Sequence, residues 1–126
     1  MKDQDFQHDQ ELVEIFLEEA QEILLQLEED VLELEKDPEN ADVINSVFRS
    51  MHTIKGSAGL TGINNISAFA HVLEDMLDRV RKNSLKITES YMMILLDSID
   101  LLKKMISALT AGGMAELDER AEEIKE

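Results

Sequence analysis

The sequence predicts an all-α protein: an up-down antiparallel bundle with a four-helix core and a short fifth helix at the C-terminal end. Five glycines and one proline among 126 residues leave few places for the chain to turn, which favours long helices over many short strands. Apolar residues recur at steps of three and four, the spacing of one helix face, and no strand-like alternation competes. We therefore predict one domain over residues 1–126, with helices over 9–36, 42–61, 64–82, 88–111 and 114–125.

The first predicted helix has one continuous apolar stripe and two recognisable ends. Asp9 suits the N-cap position, and Pro38 ends the helix because proline disfavours helical geometry in the residue before it. The stripe consists of Val13, Phe16, Ala20, Ile23, Leu27, Val31 and Leu34.

The second and third predicted helices are joined by a short turn at Gly62. The third ends in a basic cluster from Arg79 to Lys82, and cations are favourable at a helix C-terminus. Their stripes are Ile44, Val47, Met51, Ile54 and Ala58, then Ile66, Phe69, Leu73, Met76 and Val80.

Thr88 suits the N-cap of the fourth helix, and the glycine pair 112–113 stops it. Its stripe is Met92, Leu95, Ile99, Leu102, Ile106 and Leu109, and the thin stripe of the fifth helix is Leu117, Ala121 and Ile124. Because the loops are short, consecutive helices of the core are expected to run antiparallel.

Composition excludes several classes of function. With 28 acidic and 12 basic residues the formal charge is -16, which argues against binding to nucleic acid or to an anionic membrane. The absence of cysteine excludes disulfides and thiolate metal sites. No apolar run approaches the roughly 18 residues that span a bilayer. We expect a soluble, cytoplasmic domain.

Residues 41–87 depart from the negative charge of the whole chain, because their 6 basic and 4 acidic residues give a net charge of +2.

His52 lies about 120° from the centre of its helix's apolar stripe, and so on the flank of the helix. Gly56 and Gly59 follow it on the same helix, although each glycine costs about 1 kcal/mol relative to alanine. Two explanations stay open. The glycines allow close packing or fraying, or they leave bare backbone for a phosphate and for another protein's active site.

His71 and Glu74, three residues apart on the third helix, share one flank. On their own they are compatible with a local hydrogen bond at a solvated surface. A di-metal site is excluded, because carboxylate-bridged bundles need two Glu-x-x-His pairs and this chain has one pair in the opposite order. The segment 56–59 lacks the Gly-Lys-Ser/Thr of a phosphate-binding loop, and no glycine-flanked serine indicates a nucleophile elbow.

The run from His52 to Gly59, HTIKGSAG, resembles the histidine-containing phosphotransfer (HPt) domain family, and in particular the N-terminal domains of chemotaxis histidine kinases of the CheA type. That family carries His-x-x-Lys-Gly on the second helix of a bundle and His-x-x-Glu on the third. The resemblance covers nearly the whole chain, including the fifth helix. It implies that His52 is phosphorylated at Nε2, that Glu74 orients His52, and that Lys55 pairs with the phosphate. His71 would support the site by holding Glu74 or Lys55 in place. Gly56 and Gly59 would give steric room for docking.

The resemblance also implies a function and partners. His52 would accept a phosphoryl group from ATP through a kinase ATP-binding domain and pass it to an aspartate of a response-regulator receiver domain of the CheY or CheB kind. The domain would be a phosphocarrier without an ATP site and without a bound cofactor or metal. The kinase core would supply ATP and Mg²⁺, and the receiver domain its own Mg²⁺.

The oligomeric state, the location and two alternative functions complete what the sequence leads us to expect. An isolated domain of this kind is expected to be a monomer. Within a full kinase, the domain would lie at receptor arrays through the rest of that kinase. The chain is either part of such a kinase or free-standing. One alternative function is an HPt module of a multistep phosphorelay or another hybrid sensor kinase. A second is a non-catalytic helical adaptor.

Overall fold

The computed structural model describes the backbone of residues 2–82 and 86–110 and the side chains of residues 10–82 and 86–109. Within these ranges the chain forms four helices and no strand: α1 (Lys2–Lys36), α2 (Ala41–Leu60), α3 (Asn64–Arg81) and α4 (Glu89–Thr110). Each helix packs against two others, α1 and α3 both lying between α2 and α4, and the α2–α3 pair shares the most extensive contact. The predicted helical bundle is confirmed. The predicted fifth helix lies outside the described residues.

The helix ends follow from local capping chemistry. The Oδ1 atom of Asn40 accepts hydrogen bonds from the backbone N–H groups of Asp42 and Val43, at 3.1 and 3.3 Å, and so caps α2. Thr88 is the predicted cap of α4, and its Oγ1 accepts the N–H of Tyr91 at 3.1 Å. Gly62 has a φ of +78°, which explains a glycine in the α2–α3 turn.

The start of α1 differs from the prediction. The helix begins at Lys2, so Asp9 lies inside it and is not its N-cap. Residues 2–8 contain neither glycine nor proline, and nothing in that segment stops a helix from extending toward the N-terminus. The other end is as predicted, since α1 stops at Lys36, two residues before Pro38.

The core lies between the four apolar stripes and includes neither His52 nor His71. Its largest fully buried side chains are Phe16, Leu27, Leu34, Met51, Ile54, Ile66, Leu73, Leu77, Leu95, Leu102, Ile106 and Val47. Burying such side chains is the main stabilising contribution to a bundle of this size. In the described part of the chain, no helix has the length and apolar character needed to cross a membrane.

One buried polar contact fixes α1 against α2. Asp30 is buried, and its carboxylate accepts hydrogen bonds from Ser46 Oγ at 2.6 Å and from Gln26 Nε2 at 3.0 Å. A buried carboxylate is costly unless its oxygens find donors, so this contact favours one register between the two helices.

Candidate functional site

His52 lies on α2 at the flank predicted from its helical position. Its neighbours Met51 and Ile54 are buried in the core, whereas the His52 side chain is 63% exposed. The Nδ1 atom of His52 is 3.3 Å from Oε1 of Glu74 on α3. When Nδ1 carries the proton and donates it to this carboxylate, the unprotonated nitrogen of the ring is Nε2.

Glu74 has the least exposed side chain of the three at the site. Its side chain is 13% exposed, and Lys55 Nζ lies 3.1 Å from its Oε1 and 2.8 Å from its Oε2. Burial raises the pKa of the Glu74 carboxyl, but hydrogen bonds from Lys55 and His52, together with their charges, outweigh burial, so the net shift of the pKa is downward. Glu74 is therefore ionised at neutral pH, with its carboxylate beside the His52 ring.

Lys55 joins the two helices at the level of the site. It lies one turn after His52 on α2 and is 27% exposed, with its ammonium group against Glu74. Its backbone carbonyl accepts a hydrogen bond from Ser67 Oγ of α3 at 2.9 Å. The contacts from both side chain and backbone hold α2 and α3 close together, which keeps Glu74 within reach of His52.

The two glycines of α2 have different surroundings, and these separate the alternatives that the sequence left open. A Cβ atom at Gly59 would lie 3.3 Å from Ser67 Oγ, so this glycine allows close approach of α3. A Cβ atom at Gly56 would meet nothing within 4 Å. Packing against Ser67 is therefore one reason for a glycine at position 59, and the docking role that the sequence predicted for it stays a prediction. Packing does not account for Gly56.

His71 is not brought into the site. Its side chain is 58% exposed, and its Nε2 lies 3.6 Å from Oδ2 of Asp75, the residue one turn further along α3. At about 100° per residue, His71 points about 60° away from Glu74 around the helix. The supporting contact predicted for His71, with Glu74 or Lys55, is absent from the contacts of the described residues.

Two residues that the sequence did not assign to the site lie next to His52. The rings of Phe48 and His52 are nearly parallel, with 6.3 Å between their centroids. The guanidinium carbon of Arg81 lies 3.9 Å from the centroid of the Phe48 ring. The spacing of four residues between Phe48 and His52 is visible in the sequence. Arg81, in contrast, can be recognised from the sequence only as a cation at the end of a helix.

The site lies on an open surface. A cavity of about 730 Å³ lies at one end of the bundle, between the α1–α2 loop and the end of α3, and His52 does not line it. Among the described residues, no group of three or more His, Cys, Asp or Glu side chains is placed to hold a metal ion. The arrangement is thus an exposed imidazole with a carboxylate at one ring nitrogen and a cation beside that carboxylate, on a surface accessible to another macromolecule.

An exposed histidine held by a carboxylate of the neighbouring helix is the arrangement expected of a phosphoryl carrier. Residues 11–125 match the Hpt domain family, and the chain belongs to that family. It is 41% identical to the sensor histidine kinase CheAY of Helicobacter pylori over 117 residues, and 39% identical to the chemotaxis protein CheA of Borreliella burgdorferi over 98 residues. These matches cover 93% and 78% of this chain.

Solved structures agree with the sequence relatives. The CheA phosphotransferase domain from Thermotoga maritima superposes with a TM-score of 0.74 at 35% identity, covering 80% of this chain and 96% of that one. In contrast, the chain spans only 15% and 11% of the length of the two full-length relatives. This chain is therefore homologous to the phosphotransfer domain of chemotaxis kinases.

Proposed function

We propose that this chain is the phosphotransfer module of a chemotaxis signalling kinase, in which His52 receives the phosphoryl group of ATP and passes it to a receiver domain. The observation that carries the proposal is the contact of 3.3 Å between His52 Nδ1 and Glu74 Oε1. It leaves Nε2 as the nucleophile of an imidazole that is mostly exposed. The place of action is the cytoplasm, where ATP is supplied.

In the first step, the lone pair of His52 Nε2 attacks the γ-phosphorus of ATP held by the kinase ATP-binding domain. The bond between that phosphorus and the bridging oxygen breaks, and ADP leaves with the bond's electron pair. The ring then carries the phosphoryl group on Nε2 and a proton on Nδ1, so its positive charge increases. The ionised Glu74 beside Nδ1 stabilises this charge without taking the proton.

In the second step, a carboxylate oxygen of a receiver-domain aspartate attacks the same phosphorus. The bond between phosphorus and Nε2 breaks, and the electron pair returns to Nε2, which restores the original imidazole. No net proton moves in either step. Transfer of this kind depends on positioning and on neutralising charge.

The remaining site residues fit these steps. The Lys55 ammonium has three N–H donors, so it can hold Glu74 and also donate to a phosphoryl oxygen. Gly56 follows His52 by one turn and has open space above it, where the loops of a partner's active site must pass. We propose that this chain binds no ATP or metal of its own. The kinase domain brings ATP with Mg²⁺, and the receiver domain brings its own Mg²⁺.

The test is a two-stage labelling experiment. The chain is incubated with the kinase core of a chemotaxis histidine kinase, radiolabelled ATP and Mg²⁺, and then with a receiver domain. We expect label that is stable to base and labile to acid, as for a phosphoramidate, followed by its movement to the receiver. A folded chain that takes no label would contradict the proposal and favour the helical adaptor.

A multistep phosphorelay would use the same residues on this domain. The relatives favour chemotaxis, because the matched proteins are named as chemotaxis proteins. The second stage of the labelling experiment separates the two functions, since a chemotaxis module is expected to prefer single-domain receivers over the receiver domain of a hybrid kinase.

Replacing Gly56 with phenylalanine is expected to block transfer in both stages without unfolding the domain. The position is exposed and helical, a new Cβ meets nothing within 4 Å, and phenylalanine removes part of the helix penalty of glycine, which is about 1 kcal/mol relative to alanine. We therefore expect a melting temperature at or above that of the wild type. The control is Gly56→Ala, which should be stabilised at least as much and transfer at nearly the normal rate. Unfolding of Gly56→Phe would show that this glycine serves packing.

A further inference from the structure

The His52 ring needs a second contact to be fixed in one orientation. Its hydrogen bond to Glu74 holds Nδ1, but a ring held at one atom can still turn about that contact. The torsion that turns a histidine ring has broad minima, and this ring is 63% exposed. A nucleophile that samples many orientations is seldom aligned with the phosphorus of a bound nucleotide.

Phe48 supplies a contact to the face of the ring. It precedes His52 by four residues on α2, so the two side chains lie on the same side of the helix. Their planes differ by 17° with a centroid separation of 6.3 Å, which is within the range of offset-stacked aromatic pairs. Since one contact is at Nδ1 and the other is at the face, together they restrict both the direction and the plane of the ring.

Phe48 is itself held from two sides. Its ring is partly buried against the hydrophobic core, and the Arg81 guanidinium lies 3.9 Å from its centroid, within cation–π range. Arg81 is fixed in turn, because its Nε donates to Asn45 Oδ1 at 2.7 Å and its Nη1 donates to Asp78 Oδ1 at 3.3 Å. The end of α3 is thereby linked to α2 one turn before Phe48.

We propose that Phe48 and Arg81 are positioning residues for phosphoryl transfer: they fix the plane of the His52 imidazole while Glu74 fixes its direction. This inference rests on the proposed function of His52. It gives Arg81 a role beyond that of a helix-end cation, and it predicts that the stack affects the rate of the chemical step more than the binding of the kinase.

The test compares Phe48→Leu with the matched change Phe69→Leu. Phe69 is also partly buried against the core, but it lies on α3 and is not stacked on His52. Phosphorylation by the kinase core is measured as a function of domain concentration. We expect Phe48→Leu to lower kcat about three- to tenfold, the scale of losing one aromatic pair, with KM within twofold of wild type. Phe69→Leu should leave kcat unchanged.

Three further measurements distinguish positioning from stability. Phe48→Tyr keeps the aromatic face and should restore kcat. Arg81→Met should lower kcat by about twofold or more. Its change in melting temperature should be no larger than that of Phe69→Leu. In the proton NMR spectrum, the His52 ring signals should lose their ring-current shift in Phe48→Leu and keep it in Phe48→Tyr.

The outcomes separate this inference from the function on which it rests. If the wild type is labelled and Phe48→Leu has a normal kcat, or has a raised KM only, the positioning role is wrong and the phosphotransfer function stands. If the wild type is not labelled although its His52 ring signals show the stack, the function itself has failed.

Discussion

The His52→Gln variant is expected to take up no phosphate from a chemotaxis kinase core and ATP. Glutamine has no ring nitrogen to attack phosphorus, but its side-chain amide can still donate a hydrogen bond to Glu74. The side chain at position 52 is outside the core, so the free energy of unfolding should fall by no more than about 1.5 kcal/mol, the scale of losing the aromatic pair with Phe48. Label uptake and thermal unfolding, measured on the same preparation, check both statements.

The matched control is His71→Gln, the same replacement on the neighbouring helix. His71 is similarly exposed and contacts Asp75 rather than the site, so this variant should be labelled at close to the normal rate. Acid-labile label on His52→Gln would show that another residue is the acceptor. A large loss in His71→Gln would restore the supporting role that the structure does not show.

The Glu74→Ala variant should be phosphorylated about 10² to 10⁴ times more slowly than the wild type, with unchanged helical content. In the proposed mechanism, the carboxylate holds Nδ1 of His52, selects the tautomer with an unprotonated Nε2, and balances the charge that builds on the ring. Alanine removes all three effects and also leaves the partly buried Lys55 without its partner. Rates are compared under single-turnover conditions, so that release of the product does not mask the chemical step.

Two variants refine the interpretation of Glu74. Glu74→Gln keeps an oxygen acceptor but not the charge, and its rate should fall between those of the wild type and Glu74→Ala. Asp75→Ala removes a carboxylate from the next position of α3, where it pairs only with His71 among the described contacts, and should be normal. Equal rates for Glu74→Ala and Asp75→Ala would remove Glu74 from the site.

The helices could be predicted because their apolar stripes are long and their stops are chemically distinct. Pro38 and Thr88 mark boundaries that the structure confirms. The start of α1 was not predictable in the same way. Asp9 satisfies the chemistry of an N-cap, but a cap residue does not prevent a helix from continuing when the preceding residues also favour one.

The site was predictable where it depends on one helix or on a family motif. The flank position of His52 follows from helical geometry, and its pairing with Glu74 was expected from the resemblance and is present. Contacts that depend on how α2 and α3 pack were not predictable. Whether Gly56 or Gly59 faces α3, and whether Arg81 reaches Phe48, are set by the register between two helices, which their sequences do not specify.

Identifying the phosphorylated atom tests the proposed role of His52 most directly. The chain is labelled with ¹⁵N in its histidine rings, phosphorylated by a kinase core with ATP and Mg²⁺, and examined by NMR for coupling between phosphorus and nitrogen at neutral to alkaline pH. We expect coupling to Nε2 of His52, with the proton retained on Nδ1 beside Glu74. Coupling to Nδ1 of His52, or to a nitrogen of His8 or His71, would contradict this expectation.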